Sequence, residues 1–217
     1  MATVIGIMGE SGSGKTTSYM HCDPKKTYVI DCDKKGLSWR GWKKQYNAGN
    51  KNYFVGSDPD MVEKIIKGIS DTRKEIIAVI VDTVNGIMVD DEMSRMREKG
   101  YDKWVDLALS VYNLIGNSHN MRDDLFIIFL FHVQDDRDEN GNHHFHILTS
   151  GRKLEKIKLE SKLTTVLFAK GNNGSYVFET QANNSTAKSP LGLFDQKEIP
   201  NDLNAVINAI TKFEKGE

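Results

Sequence analysis

The feature that most constrains this chain is a run of eight residues near its start, Gly9-Glu10-Ser11-Gly12-Ser13-Gly14-Lys15-Thr16. It satisfies G-x-x-x-x-G-K-[ST] and stands in a telling context. Thr3 to Met8 before it is mostly apolar and predicts a buried strand, and Lys15 to His21 after it predicts a short helix that stops before Pro24. Three glycines let a backbone curl until successive N–H groups point at one centre, and a helix N-terminus behind them adds partial positive charge. A lysine and a hydroxyl at the end of such a loop suit an anion with a hard cation beside it. Gly9 to Thr16, with Thr17 next to them, are therefore candidate contacts to the phosphates of a nucleotide. Lys15 is placed to reach its β- and γ-phosphates, and Thr16 to take a magnesium position.

A strand–loop–helix start of this kind requires a parallel sheet, and the rest of the chain supplies strands for one. Thr27 to Asp31 and Asn52 to Val55 are β-branched and aromatic, while Ile76 to Asp82 and Leu125 to Val133 are apolar runs of the sort buried on both faces. Helices are predicted from Ser57, as N-cap, through an Ile-rich face, then over 84–99, 102–121 and 202–213. Asn140-Gly141, and Gly171 with Gly174, mark two hairpins. The expected fold is α/β, a P-loop NTPase core with a mostly parallel sheet flanked by helices and an antiparallel hairpin extension. At 217 residues the chain is expected to form one domain, 1–217. With no apolar run near the length of a membrane span, two cysteines and no basic leader, the expected setting is cytoplasmic, with no membrane partner.

Ala78-Val79-Ile80-Val81-Asp82-Thr83 delivers Asp82 to the end of a buried strand, as a magnesium carboxylate or as a plain helix cap. A threonine follows it, and a hydroxyl cannot take a proton from water as a glutamate would. Asp33, just past the strand ending at Asp31, is the candidate base, because strand ends of a parallel sheet converge on one crevice; otherwise Asp31 and Asp33 are turn residues. His132 and Gln134 end the strand 127–131, where either side chain could sense a γ-phosphate or simply be structural.

These parts together resemble the RecA-like branch of P-loop ATPases. Val79-Ile80-Val81-Asp82-Thr83 resembles its strand ending in aspartate and a hydroxyl residue. Ile30-Asp31-Cys32-Asp33 resembles its Asp-x-Glu strand with the base one methylene shorter, and Phe131-His132-Val133-Gln134 resembles its sensor strand. More narrowly, the order of parts, with Trp104 and Thr186-Ala187-Lys188-Ser189-Pro190, is similar to phage RecA-like single-strand annealing proteins and phage nucleotide-binding proteins. The resemblance implies ATP and Mg²⁺ as cofactors, single-stranded DNA as partner in recombination or replication, rings or filaments of identical subunits, and the host cytoplasm. A small-molecule kinase, or a nucleotide-gated interaction protein with little turnover, are the alternatives; few arginines count against the kinase.

Lys34, Lys35, Trp39, Arg40, Trp42, Lys43 and Lys44 share one irregular segment. They make either a single-strand groove, with cations on phosphates and aromatics on bases, or a solvated loop anchored by its tryptophans. Arg152, Lys153, Lys156 and Lys158 form a second basic stretch, in a region that also carries acid. A net charge of −1 excludes coating of DNA by bulk electrostatics alone and leaves room for a local basic path. Lys188 is a candidate catalytic cation supplied to a neighbouring subunit, or an exposed lysine before a turn. His143, His144 and His146 lack partners that would complete a metal site and predict a hairpin surface.

Overall fold

Alternation between two apolar faces explains the architecture. In the strand Ala78–Asp82, Val79 and Val81 pack into one core cluster while Ala78 and Ile80 pack into the other. Both faces of the sheet are therefore covered, which is why these strands read as unbroken apolar runs. The computed structural model describes residues 1–98, 102–137, 139–149, 158–172 and 174–217.

The strands are β1 (Thr3–Gly9), β2 (Thr27–Asp31), β3 (Tyr53–Val55), β4 (Ala78–Asp82), β5 (Phe126–Arg137), β6 (His143–Ile147), β7 (Thr165–Asn172), β8 (Ser175–Glu179) and β9 (Glu198–Pro200). The helices are α1 (Trp42–Gln45), α2 (Pro59–Thr72), α3 (Val84–Ser94), α4 (Asp102–Ser118) and α5 (Leu203–Lys215). The sheet order is β3-β2-β4-β5-β1-β7-β8-β9, parallel from β3 to β7 and antiparallel over β8 and β9. The far half of β5 leaves this sheet and pairs antiparallel with β6, closing the hairpin at Arg137 and His143. The α/β class, the mostly parallel sheet and the hairpin extension are as expected from sequence.

Residues of α2, α3 and α4 cover one face through Ile66, Ile87 and Val111, and α5 covers the other through Leu203, Val206 and Ile210. Asp202 caps α5 by accepting from the Asn204 and Ala205 amides.

Three expectations shift. The N-cap of α2 is Asp58, which accepts from Met61 N at 2.8 Å; Ser57 instead donates to Asp90. A carboxylate at the position before Pro59 takes the cap, and the hydroxyl is left for a tertiary bond. The helix expected after the loop is a single 3₁₀ turn, Thr16–Tyr19, ended well short of Pro24. The segment after β2, read from the sequence as irregular, contains the short helix α1.

Candidate functional site

The register brings the sequence motifs to one edge. Gly9 ends β1 level with His132 of β5 and Ala169 of β7, and Asp31 of β2 stands level with Asp82 of β4. Loops leaving these strands enclose a cavity of about 340 Å³ lined by Ser11, Gly12, Gly14 to Thr17, Lys35, Ser38, Asp82, Thr83, His132 and Tyr176.

The loop after β1 needs its glycines. Gly12 and Gly14 have φ of 79° and 90°, the left-handed region that side chains resist. A Cβ on Gly9 would meet Ser13 Oγ at 2.4 Å and Ala169 O at 2.7 Å. The loop is thus packed down on β7, with Glu10, Ser11 and Gly12 exposed above it and Ser13 buried beneath. Because only one 3₁₀ turn follows, a helix dipole adds little here; backbone N–H groups and Lys15 are left as the sources of positive potential.

Lys15 is 6% exposed, and its Nζ donates to Gly9 O and Glu10 O, both at 2.7 Å. Burial pulls its ammonium down to about 8, with Asp82 partly countering. Asp82 is the other buried charge, 2% exposed, and burial raises its carboxyl above the usual range against the pull of its donors. Thr16 Oγ1 and the Tyr19 phenol both donate to Asp82 Oδ2 at 2.8 Å, while Oδ1 has no hydrogen-bond partner among the described residues. Two donors on one oxygen fix the carboxylate and leave the other free, an arrangement that suits a hard cation with oxygen ligands. Thr16 and Asp82 are the residues here that could hold Mg²⁺, the remaining positions falling to water and phosphate. No group of three or more His, Cys, Asp or Glu among the described residues could hold a metal by itself.

Asp33 lies beside this centre. Its Oδ1 accepts from Thr83 Oγ1 at 2.8 Å and its Oδ2 pairs with Lys35 Nζ at 2.5 Å. The peptide joining Asp82 to Thr83 is cis. Asp31 is a structural residue instead: its Oδ2 accepts from Gly36 N and the Tyr53 phenol, each at 2.7 Å. His132 faces the cavity with its imidazole held below its ordinary value, chiefly by burial and then by Lys15, so it is neutral at neutral pH. Asn85 fixes its place by accepting from His132 N at 2.7 Å and donating to Leu148 O at 2.9 Å.

Other candidates stand elsewhere. Gln134 donates to Asp136 Oδ1 and lines a second cavity with His144, His146 and Lys158, because β5 has by then turned away with β6. His143 and His144 lie exposed on that hairpin. Lys188 is half-buried and its backbone exchanges both hydrogen bonds with Val166, level with Gly6 rather than with the loop, so it stands away from its own chain's cavity. Arg152, Lys153 and Lys156 lie outside the described residues.

The aromatic and basic segment after β2 is built differently from a base-stacking groove. Trp39 packs edge-on against Tyr19 and Tyr46, at 5.4 and 6.0 Å between centroids, and donates to Gln45 Oε1. Trp42 packs on Tyr53 and over Gly36, with Lys43 on its ring. Both tryptophans serve the core beneath this face. Lys34 pairs with Asp90 at 2.6 Å, Lys35 belongs to the cavity, and Arg40, Lys43 and Lys44 are exposed.

Sequence reading put Lys35 on the single-strand path and not in this cavity, and it missed Tyr19, Asn85 and Tyr176. Tyr19 follows Thr16 by about one turn and Asn85 follows Thr83 by two residues, so their nearness had a local signal. Tyr176 had none, since it reaches the loop only through the pairing of β7 with β8.

No helix among the described residues is long and apolar enough to cross a membrane. A search of curated proteins returned no match. A family model described as AAA domain matches residues 1–191, most of the chain, and this family is of P-loop NTPase type, whose members bind nucleotides. With its glycine loop, buried lysine and strand-end aspartate at one edge of a parallel sheet, this chain belongs to the AAA domain family.

Proposed function

We propose that the chain binds ATP with Mg²⁺ at this edge and hydrolyses it slowly. The observation that carries the reading is the meeting of Lys15, Thr16 and Asp82, with one Asp82 oxygen pinned by two donors and the other unpaired. Gly9 to Thr16 and Thr17 hold the phosphates. Thr16 and Asp82 hold the cation, which, when bound, neutralises charge on the β- and γ-phosphates.

Asp33 is the base. As a water oxygen bonds to the γ-phosphorus and the bridging P–O bond breaks toward ADP, the water proton passes to Asp33, which Thr83 and Lys35 orient. Lys15 and Lys35 face the charge that grows on the transferred group, and His132 offers a neutral hydrogen-bonding group to it. Asp33 begins tied to both partners, and this favours a second reading as well, a nucleotide-gated binding protein with almost no turnover.

The work served by ATP is proposed, from the resemblance, as handling of single-stranded DNA by a homo-oligomer in phage recombination or replication. The exposed Arg40, Lys43 and Lys44 support a phosphate-tracking path, while Trp39 and Trp42 are committed to the core, so the path would be electrostatic more than stacking. Turnover of ATP, with and without single-stranded DNA, beside a Lys15→Ala variant, tests this. Stimulation by DNA that vanishes in the variant is expected. Turnover indifferent to DNA sinks the DNA role, and ATP binding with no turnover at all selects the gated protein.

A further inference from the structure

The groups proposed for the cation and the γ-phosphate lie on one side of the loop after β1. Asp82 and Thr83 come from β4 and the residues after it, His132 from β5, and Lys35 from the segment after β2. In the sheet these strands all lie on the β5 side of β1. The same cavity continues past Thr16 and Thr17 toward the opposite side, where β7 and β8 stand, and there its wall is Tyr176.

The bed of that ring is made of glycine. Gly171 pairs with Tyr176 across β7 and β8, and a Cβ on Gly171 would meet Tyr176 Cε1 at 2.8 Å. A Cβ on Gly14 would meet Tyr176 Cδ1 at 2.9 Å. The phenol ring therefore rests on two backbones where any side chain would displace it, one of them the phosphate loop itself. Asn201 lies behind: its amide N–H donates to Tyr176 O at 3.3 Å, and its side-chain nitrogen is buried near Gly14, not offered to the cavity. Tyr176 nevertheless remains 46% exposed, although it is a large aromatic on a paired strand. A ring that meets two glycines along its Cδ1–Cε1 edge and stays open toward a phosphate-binding loop offers a stacking surface with no ring partner among the described residues.

We propose that Tyr176 is the platform on which the base of the bound nucleoside triphosphate stacks. This rests on the reading of Gly9–Thr16 as the phosphate site. The triphosphate would cross the loop with its γ end toward Thr83 and His132 and its nucleoside toward β8. Tyr176 acts by its ring face, so its hydroxyl is dispensable, and two glycines are tied to the nucleotide site through it.

The test compares binding of Mg²⁺–ATP and of Mg²⁺–tripolyphosphate, which has no base, to the unmodified protein, Tyr176→Ala and Tyr176→Phe, by calorimetry. Tyr176→Ala is expected to weaken ATP about tenfold, within the range that base–aromatic stacking contributes, with tripolyphosphate unchanged. Tyr176→Phe is expected to bind both as the unmodified protein does. An alanine variant that binds ATP normally, or that loses both ligands equally, overturns the platform. Tripolyphosphate binding that persists in Lys15→Ala overturns instead the phosphate site on which the platform rests.

Discussion

Two irregular segments leave the same edge of the sheet, one after β1 (9–16) and one after β2 (33–51), and they end in opposite states. Both follow a largely buried strand and both carry cations. The first is made mostly of glycine, serine and threonine, so its backbone stays open to a cavity, and its single lysine is buried with carbonyls as its hydrogen-bond partners among the described residues. The second carries two tryptophans and a tyrosine, and these fold back to cover the core. Small residues leave a loop room to bind something else; large aromatics make a loop its own ligand, since each buries area worth a few kcal/mol. The two segments meet at Tyr19, whose phenol holds Asp82 while Trp39 packs on its ring.

That contrast can be broken from the first side with the largest effect. Asp82→Asn keeps the shape and its donors but removes the charge; ATP turnover, or Mg²⁺-dependent ATP affinity where turnover is too slow to follow, is expected to fall on the order of 100-fold. Retained Mg²⁺ dependence would show that Asp82 serves only to hold Thr16 and Tyr19, since Thr83 and not Asp82 stands at the N-cap of α3. Gly14→Ala places a methyl at φ 90° against Tyr176, and is expected to cost about 2 kcal/mol in chemical denaturation as well as nucleotide affinity.

On the second side, Trp42→Ala is expected to cost about 2 kcal/mol of stability through lost packing on Tyr53 and Gly36, with nucleotide binding little changed. A variant of unaltered stability that lost affinity for single-stranded DNA would instead make Trp42 a base-stacking residue. The smallest effect belongs to the surface pair of Lys34 and Asp90, both substantially exposed, where Lys34→Ala is expected to cost about 0.5 kcal/mol or less. Lys34, then Ser57, holds the Asp90 carboxyl below its usual value. Its contribution is therefore complete above the ordinary aspartate range and lost as pH falls below it, and denaturation of the variant pair at neutral and acid pH reads the difference.

Local chemistry on its own determined a good deal here. Gly9 to Thr16 could be read as a phosphate loop because its glycines act through the backbone and its lysine through a side chain within the same eight consecutive residues, which no distant contact needs to complete. The buried strands were readable from apolar runs, and the span of β2 from its β-branched and aromatic composition. The family match is of the P-loop NTPase type that this loop implies. Competition among side chains was another matter. That Asp58 rather than Ser57 caps α2 depends on Asp90 lying across from Ser57. That Gln134 leaves the site which His132 enters depends on where β5 changes partner from β1 to β6.

The fate of Trp39 and Trp42 shows the limit most clearly. A tryptophan beside lysines has the same composition whether it stacks on a base or on a tyrosine, and only the packing of the sheet brings Tyr19, Tyr46 and Tyr53 close enough to decide. Tyr176 shows the converse: nothing near it in the chain marks it, yet strand pairing sets it on Gly171 and against Gly14. Sequence alone determined the loop that can hold phosphate, because that chemistry is local. Tertiary structure decided which side chains share its cavity, because contacts between residues far apart in the chain exist only once the strands have taken their order.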